Sequence, residues 1–346
     1  MLSGKHMLIE NCPGLGDLVM LTPALRKIKE LYPDCVLSVV SYANNLLLVD
    51  RLPYVDHVYA IEKGKFLGHF RPARAFPKQD YVIFTTWQPQ LARMAWLMRV
   101  PNRAGVTKEN GRGRGLFTKE LPRDDFYDTE NKALFLAKQI AVGLGIDLNV
   151  DGICEVSQPD ETEFDRVKQL LRDMGKDISR PFAVLAPFAK TARDIPVSLI
   201  IGIVKYLRKK YDLDCIITHS ERMKEVDEVR REIGDKGLYD ISGKTNLMEM
   251  VALLKLASVA VVTDSGPMHV SCAVGTETVS VFSSGNHRQW NPMCHSHLIT
   301  LGCECSPCTR EIAEECSSQK CILGITPKMV KEKIDEAMAA IGGKID

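Results

Sequence analysis

No run of apolar residues in this chain is long enough to cross a bilayer. The longest, Met250 to Val262, is broken by Lys255 and falls short of the ~20 residues a spanning helix needs. The opening Met1-Leu2-Ser3-Gly4-Lys5-His6 also lacks the apolar core of a secretory signal, and a strand-like segment starts at Met7. These absences lead us to expect a cytoplasmic protein, in peripheral contact with the inner face of the membrane at most. Charge of one sign is missing too: 45 Lys plus Arg against 44 Asp plus Glu leave no long-range field to draw nucleic acid or acidic lipid. No nucleic-acid partner is expected. Eleven cysteines without an export signal read as reduced thiols or metal ligands, and not as a disulfide framework.

What is present is ordinary globular material, 45% apolar and 26% charged. At 346 residues the chain exceeds what one core comfortably organises, so two domains are expected. In the first half, strand signals at Leu8–Glu10, Val36–Ser41, His57–Ile61 and Tyr81–Thr85 alternate with helical patterns from about Asp17 to Leu31, at Gln88–Met98 and at Asn131–Leu144. Thr22-Pro23 reads as a helix cap followed by a first-turn proline. A polar stretch from Ser157 to Arg180 contains an amphipathic helix. The pattern then repeats: strands at Phe182–Ala186, Asp214–Thr218, Val259–Thr263 and Thr278–Phe282, and helices at Val197–Lys210, Arg222–Ile233, Met248–Ala257 and Pro267–Val274. Such alternation predicts parallel sheets, with ligands at the carboxyl ends of the strands and a cleft between two similar halves.

Gly14-Leu15-Gly16-Asp17 after the first strand invites a dinucleotide-binding reading, which fails on two details. Val19 stands where the third glycine belongs, and the second strand ends in Ser41-Tyr42-Ala43 without an acidic residue for a ribose. Gly14 and Gly16 still let an acceptor approach the backbone. Asp17, read as the only carboxylate of this strand-loop-helix junction, is either a reacting group in the cleft or a first-turn aspartate favoured by the helix dipole. In the second half, Thr263-Asp264-Ser265-Gly266-Pro267-Met268-His269 puts a tight turn and a first-turn proline after a buried strand. That is either a phosphate site at a helix start or a plain Ser265 cap with Asp264 in an Asx-turn. Lys190 and Arg193 follow the half's first strand, where cations can neutralise a diphosphate, and Glu221 follows another strand, where a carboxylate can hold ribose hydroxyls. The spacing CxxC-x7-C-x4-C of Cys305, Cys308, Cys316 and Cys321 suits four thiolates on a structural zinc or iron ion, or free thiols packing a loop. His6, His57, His69, His219, His287, His295 and His297 have no metal-ligand spacing.

Taken in order, these segments resemble glycosyltransferase family 9, the lipopolysaccharide heptosyltransferases. The resemblance is carried by Gly14 through Leu25, Leu52-Pro53-Tyr54-Val55-Asp56-His57-Val58, Thr263 through Ala273, and Cys305-Ser306-Pro307-Cys308 leading to Cys321 and Thr326-Pro327. It implies an α/β fold of GT-B type, two doubly wound Rossmann-like domains facing a central cleft. It also implies an inverting transferase without a catalytic metal or other cofactor, which takes heptose from an ADP-linked donor to a lipopolysaccharide core or related glycan. Asp17 then matches the general base, with Gly14 and Gly16 on the acceptor side. Lys190, Arg193, Glu221, Asp264, Ser265, Gly266, Pro267 and His269 match the donor side. At Arg193-Asp194-Ile195-Pro196 the chain departs from the family, which usually has a lysine and a tryptophan before the proline: the cation is kept and the aromatic is not.

The expected division is an acceptor-binding domain over 1–160, a linker helix region over 161–180, a nucleotide-sugar domain over 181–326, and a helix over 327–346 packing back on the N-terminal domain. Two cationic segments, Phe66–Phe76 with its neighbour Lys65 and with Arg71 and Arg74, and Arg99–Arg114, suit an anionic acceptor or solvent equally. Two other functions share such a scaffold, a nucleotide-sugar epimerase or hydrolase and a non-catalytic nucleotide-sugar-binding protein.

Overall fold

The computed structural model describes residues 2–62, 73–108, 110–123, 129–189 and 193–342, the side chain of Arg310 apart. Two compact units emerge, Met1–Ser157 and Gln158–Asp346.

The first unit is built on a six-stranded parallel sheet of order β3-β2-β1-β4-β5-β6. Its strands are β1 His6–Glu10, β2 Val36–Tyr42, β3 His57–Ile61, β4 Tyr81–Phe84, β5 Asn102–Gly105 and β6 Lys119–Glu120. The central strand β1 is buried on both faces, which is why Met7, Leu8 and Ile9 are consecutive apolar residues. One face is covered by Leu8, Val40, Phe76, Val82, Phe84 and Leu91 as a single cluster. Helix Leu15–Leu31 buries Leu18, Val19, Leu21, Leu25 and Ile28, and helix Lys132–Leu144 packs beside it, capped by the Asn131 side chain on Ala133 N at 3.0 Å.

Thr22-Pro23 does not start a helix. Both lie inside Leu15–Leu31, in its third turn. A proline there removes the N–H that would bond to Val19 O and would orphan that carbonyl. The Thr22 hydroxyl donates to Val19 O instead, at 2.7 Å, and also accepts from Glu155 N at 2.9 Å. The helix is thus mended by its own neighbouring side chain.

The second unit repeats the topology as β12-β11-β10-β7-β8-β9, again all parallel. The strands are β7 Phe182–Ala186, β8 Asp214–Ile217, β9 Leu238–Asp240, β10 Val259–Thr263, β11 Thr278–Val281 and β12 Ser296–Ile299. Helix Glu161–Asp173 opens with a reciprocal capping box between Asp160 and Glu163 and packs on helix Leu247–Leu256. Helix Pro327–Gly342 lies on β11, β12 and helix Val197–Tyr211, contributing Val330, Ile334 and Ala337 to the core. Its Asp335 accepts hydrogen bonds from Tyr206 and Tyr211, each at 2.6 Å, and pairs with Lys210 at 2.7 Å.

In both sheets the first strand lies between the second and the fourth. Chain connections leave β1 and β4, or β7 and β10, toward opposite sides, and a crevice opens beyond their carboxyl ends. The residues that follow those four strands are therefore the ones to inspect.

Candidate functional site

In the second unit the crevice is framed by the segments after β7 and β10. The described ends of the segment between β7 and helix Val197–Tyr211 are tied together: Asp194 Oδ1 accepts from Ala189 N at 2.7 Å and Ile195 N donates to Pro187 O at 2.8 Å. This presents Arg193 to Asp264, the residue after β10, with Nη1 to Oδ2 at 2.6 Å. The Thr263 hydroxyl donates to Arg193 O and holds the loop at a second point. Burial pushes the Asp264 carboxyl upward, and the Arg193 guanidinium opposes that shift.

A third segment makes this contact possible. A Cβ on Gly285, four residues past the end of β11, would lie 1.9 Å from Asp264 Oδ2 and 3.6 Å from Arg193 Cζ, so only glycine fits there. Beside it, Ser283 and Ser284 are buried with hydroxyls that lack a partner among the described residues.

Helix Gly266–Ala273 begins immediately after the ion pair. Ser265 is its cap residue by backbone conformation, but its hydroxyl donates to Thr263 O at 3.2 Å and caps nothing. The plain Ser265 cap is therefore not what forms. Pro267 in the first turn has no N–H and Met268 N donates to Ser265 O at 3.1 Å, so the donor left at the helix start is Gly266 N, which has no side-chain acceptor and can meet an anion. His269 is buried, with its ring edge-on to Trp290 at 6.2 Å between centroids, and burial lowers its pKa to about 4. It is a neutral imidazole near pH 7 and brings no charge to the start of the helix.

Glu221 follows β8, two strand spacings from Asp264 in the order β10-β7-β8, or roughly 10 Å across the sheet. Its backbone N–H donates to His219 Nδ1 at 3.2 Å, and its carboxylate has no partner among the described residues. Gly243, at φ +73, brings a second loop against the Glu221 backbone. Lys190 lies outside the described residues, as do Lys65 and Arg71.

In the first unit the crevice holds more than the sequence reading found. Gly14, in extended conformation, starts helix Leu15–Leu31, and partly exposed Asp17 occupies the first turn. A Cβ on Gly14 would come within 3.2 Å of Asp17 Oδ2, so the carboxylate lies close over the loop and would have to give slightly for any larger residue there. Asp17 is not the junction's only carboxylate. Glu10 ends β1 fully buried, accepting from Thr86 N at 3.2 Å and Thr86 Oγ1 at 2.8 Å, with further hydrogen bonds from the Cys12 backbone and thiol. Burial raises its pKa to about 7 against those bonds. The one signal in the sequence was a charged residue closing an otherwise apolar strand.

Among the described residues no group of three or more His, Cys, Asp or Glu side chains is arranged to hold an ion. Of Cys305, Cys308, Cys316 and Cys321, two thiols have local hydrogen bonds: Cys308 turns onto Cys305 O at 2.8 Å and Cys316 onto Ser318 Oγ at 3.5 Å. The same loop lies against the Gly285 turn, with Cys308 N donating to Ser284 O at 2.8 Å and Ser306 Oγ to Ser283 O at 3.2 Å.

Comparison with solved structures identifies the architecture as the GT-B type of two doubly wound α/β units. The glycosyl transferase family 9 structure from Veillonella parvula superimposes with a TM-score of 0.83 at 17% identity, covering 98% of this chain and 99% of that one. The ADP-heptose lipopolysaccharide heptosyltransferase II structure of Escherichia coli gives 0.70 at 18% identity, with coverage of 97% and 99%. The resemblance to glycosyltransferase family 9 is borne out: the model of that family, glycosyltransferase family 9 (heptosyltransferase), matches residues 206–322. Lipopolysaccharide heptosyltransferase 3 of Escherichia coli K12 is 24% identical over 299 residues, 80% of this chain and 82% of that protein.

Proposed function

We propose that the protein is an inverting glycosyltransferase that moves heptose from ADP-heptose to a hydroxyl of a lipopolysaccharide core or related glycan. The observation that carries this reading is the Arg193–Asp264 pair beneath Gly285, at the head of a helix whose first N–H has no side-chain cap. Arg193 spends Nη1 on Asp264 and keeps its other N–H groups for phosphate oxygens, while Asp264 fixes the plane of the guanidinium. The helix start adds a donor and a favourable dipole, and together they offset the charge that grows on the diphosphate as it leaves. Glu221 accepts from the ribose hydroxyls.

In this reading Asp17 is the base. A sugar hydroxyl is too weak an acid to ionise beforehand, so its proton leaves as the new bond forms, and a positioned carboxylate contributes about 10²–10⁴-fold. Glu10, fully buried, stays out of contact with the acceptor.

Calorimetric titration with ADP, UDP, GDP and CMP should find ADP bound most tightly. Arg193→Ala should weaken ADP by ~1.5–3 kcal/mol, the range for a hydrogen bond to a charged group. Product analysis with ADP-heptose should show transfer only when a glycan acceptor is present. Turnover of the sugar nucleotide without acceptor would favour epimerisation or hydrolysis, and an affinity of Arg193→Ala unchanged from the parent for every nucleotide would remove the pair from the donor site.

A further inference from the structure

Helix Pro89–Leu97 behaves as a core helix along most of its length and then reverses. Leu91, Ala92, Met94 and Ala95 are buried, whereas Trp96, Leu97 and Met98 are 49%, 68% and 40% exposed. No other three consecutive large apolar residues are exposed among the described residues. The backbone beneath them is ordered: Met98 N donates to Met94 O at 2.9 Å, Arg99 N to Trp96 O at 3.0 Å and Val100 N to Ala95 O at 3.1 Å. Arg99 closes this turn at φ +56, a left-handed conformation that glycine adopts more easily. The chain thus puts a cation where glycine is the default stop.

The rim is cationic. Arg103 donates to Val100 O and, through Nε at 2.9 Å, to Leu116 O, which draws the turn 110–116 beside the helix tip. Arg93 and Arg99 on the helix side, and Lys108 and Arg112 on the turn side, are exposed or partly exposed and have no carboxylate partner among the described residues. Glu120, a carboxylate of this edge, is already engaged by Arg114 at 3.2 Å and by Thr107.

We propose that this tip docks the first unit on a bilayer carrying anionic headgroups, with Trp96, Leu97 and Met98 entering the interfacial layer and the four cations meeting the headgroups. A tryptophan beside leucine and methionine, ringed by arginines, suits the boundary between headgroups and acyl chains. Each cation near a negative surface adds a salt-sensitive attraction. A second copy of the chain is a poorer occupant, since three side chains fall well short of the ~800 Å² per partner that a standard interface buries. The surface is independent of the donor chemistry, so its test needs no turnover.

The full-length protein is sedimented with phosphatidylcholine vesicles, with and without phosphatidylglycerol. The expected result is co-sedimentation with the anionic vesicles only, weakened by added salt. Substituting both Trp96→Ser and Leu97→Ser should reduce binding at least tenfold, and Arg99→Gly, which suits the local backbone, several-fold. Thermal midpoints of both variants should match the parent, because the altered side chains are exposed. Wild-type protein left in the supernatant with all vesicles overturns the proposal, as does equal binding to neutral and anionic vesicles or unchanged binding of the double variant. A concentration-dependent dimer lost in that variant, without vesicle binding, would also overturn it and assign the tip to a second copy.

Discussion

Glu10 gives the sharpest test, because its burial has a sign and a size. The carboxyl ends β1 with no exposure and has its pKa moved from 4.5 to about 7 by burial, which outweighs the hydrogen bonds from Cys12 and Thr86. A folded-state pKa above the unfolded one means that the native state holds its proton longer. The contribution to stability is therefore fully present below about 4.5 and is lost as pH rises through about 7. At 1.36 kcal/mol per pH unit, the gap corresponds to about 3 kcal/mol. Glu10→Gln is neutral at every pH and removes that slope, though its amide N–H₂ faces the donors of Thr86 and Cys12 and costs about 1–3 kcal/mol for the mismatch. At pH 5 the wild type should be the more stable, and by pH 8 the two should converge or change order. Hydrogen exchange of the β1 and β4 amides, corrected for intrinsic rate, reads the local stability of this pair of strands. Parallel pH dependence of protein and variant between pH 5 and 8 would refute the reasoning, because Glu10 would then ionise as a solvated carboxylate does.

Three other outcomes are expected. Asp17→Asn should leave ADP affinity unchanged and lower turnover by about 10²–10⁴-fold with saturating substrates; near-normal turnover would make Asp17 a helix-start residue only. Gly285→Ala introduces a Cβ at 1.9 Å from Asp264 Oδ2, so the Arg193–Asp264 contact must open, and calorimetry should find ADP weakened by about tenfold or more, in line with a lost charged hydrogen bond. His269 is depressed from 6.5 to about 4, so the second unit should lose stability as pH falls from about 6.5 through 4. His269→Phe should flatten that acid limb in thermal unfolding, and an unchanged limb would mean the imidazole is hydrated.

The buried strands were legible because a strand covered on both faces must be apolar through its middle, as β1, β7 and β10 are. Of the outer strands, His57–Ile61 was read but β5, β6, β9 and β12 were not. β5 reads Asn-Arg-Ala-Gly, with no branched or aromatic residue, and exists because Ala104 and Gly105 find the edge of β4. Thr22-Pro23 carried a true local signal that a hydroxyl on Val19 O overrode. At the site, Arg193 and Asp264 were recognisable as loop residues after strands, but their pairing joins positions 71 apart, and no local pattern encodes it. Gly285 was silent for the same reason, since its lack of a side chain matters only against Asp264. Glu10 was passed over as the end of a strand, since nothing local says that Thr86 closes over it. The cysteine spacing was visible, but spacing says nothing about which way a thiol turns.

The way each unit closes its core has a consequence for synthesis on the ribosome. The sheet of the first unit and the helices over it are complete by Leu144, so this half can fold while the rest of the chain is still emerging. The second unit cannot do so. Ile203, Val279 and Ile299 share a cluster with Val330, Ile334 and Ala337, which come from the helix Pro327–Gly342. At ~5–20 residues per second, that helix follows β7 by on the order of ten seconds. Through that interval one flank of the nascent second unit stays apolar and uncovered, and this is when the protein is most exposed to aggregation.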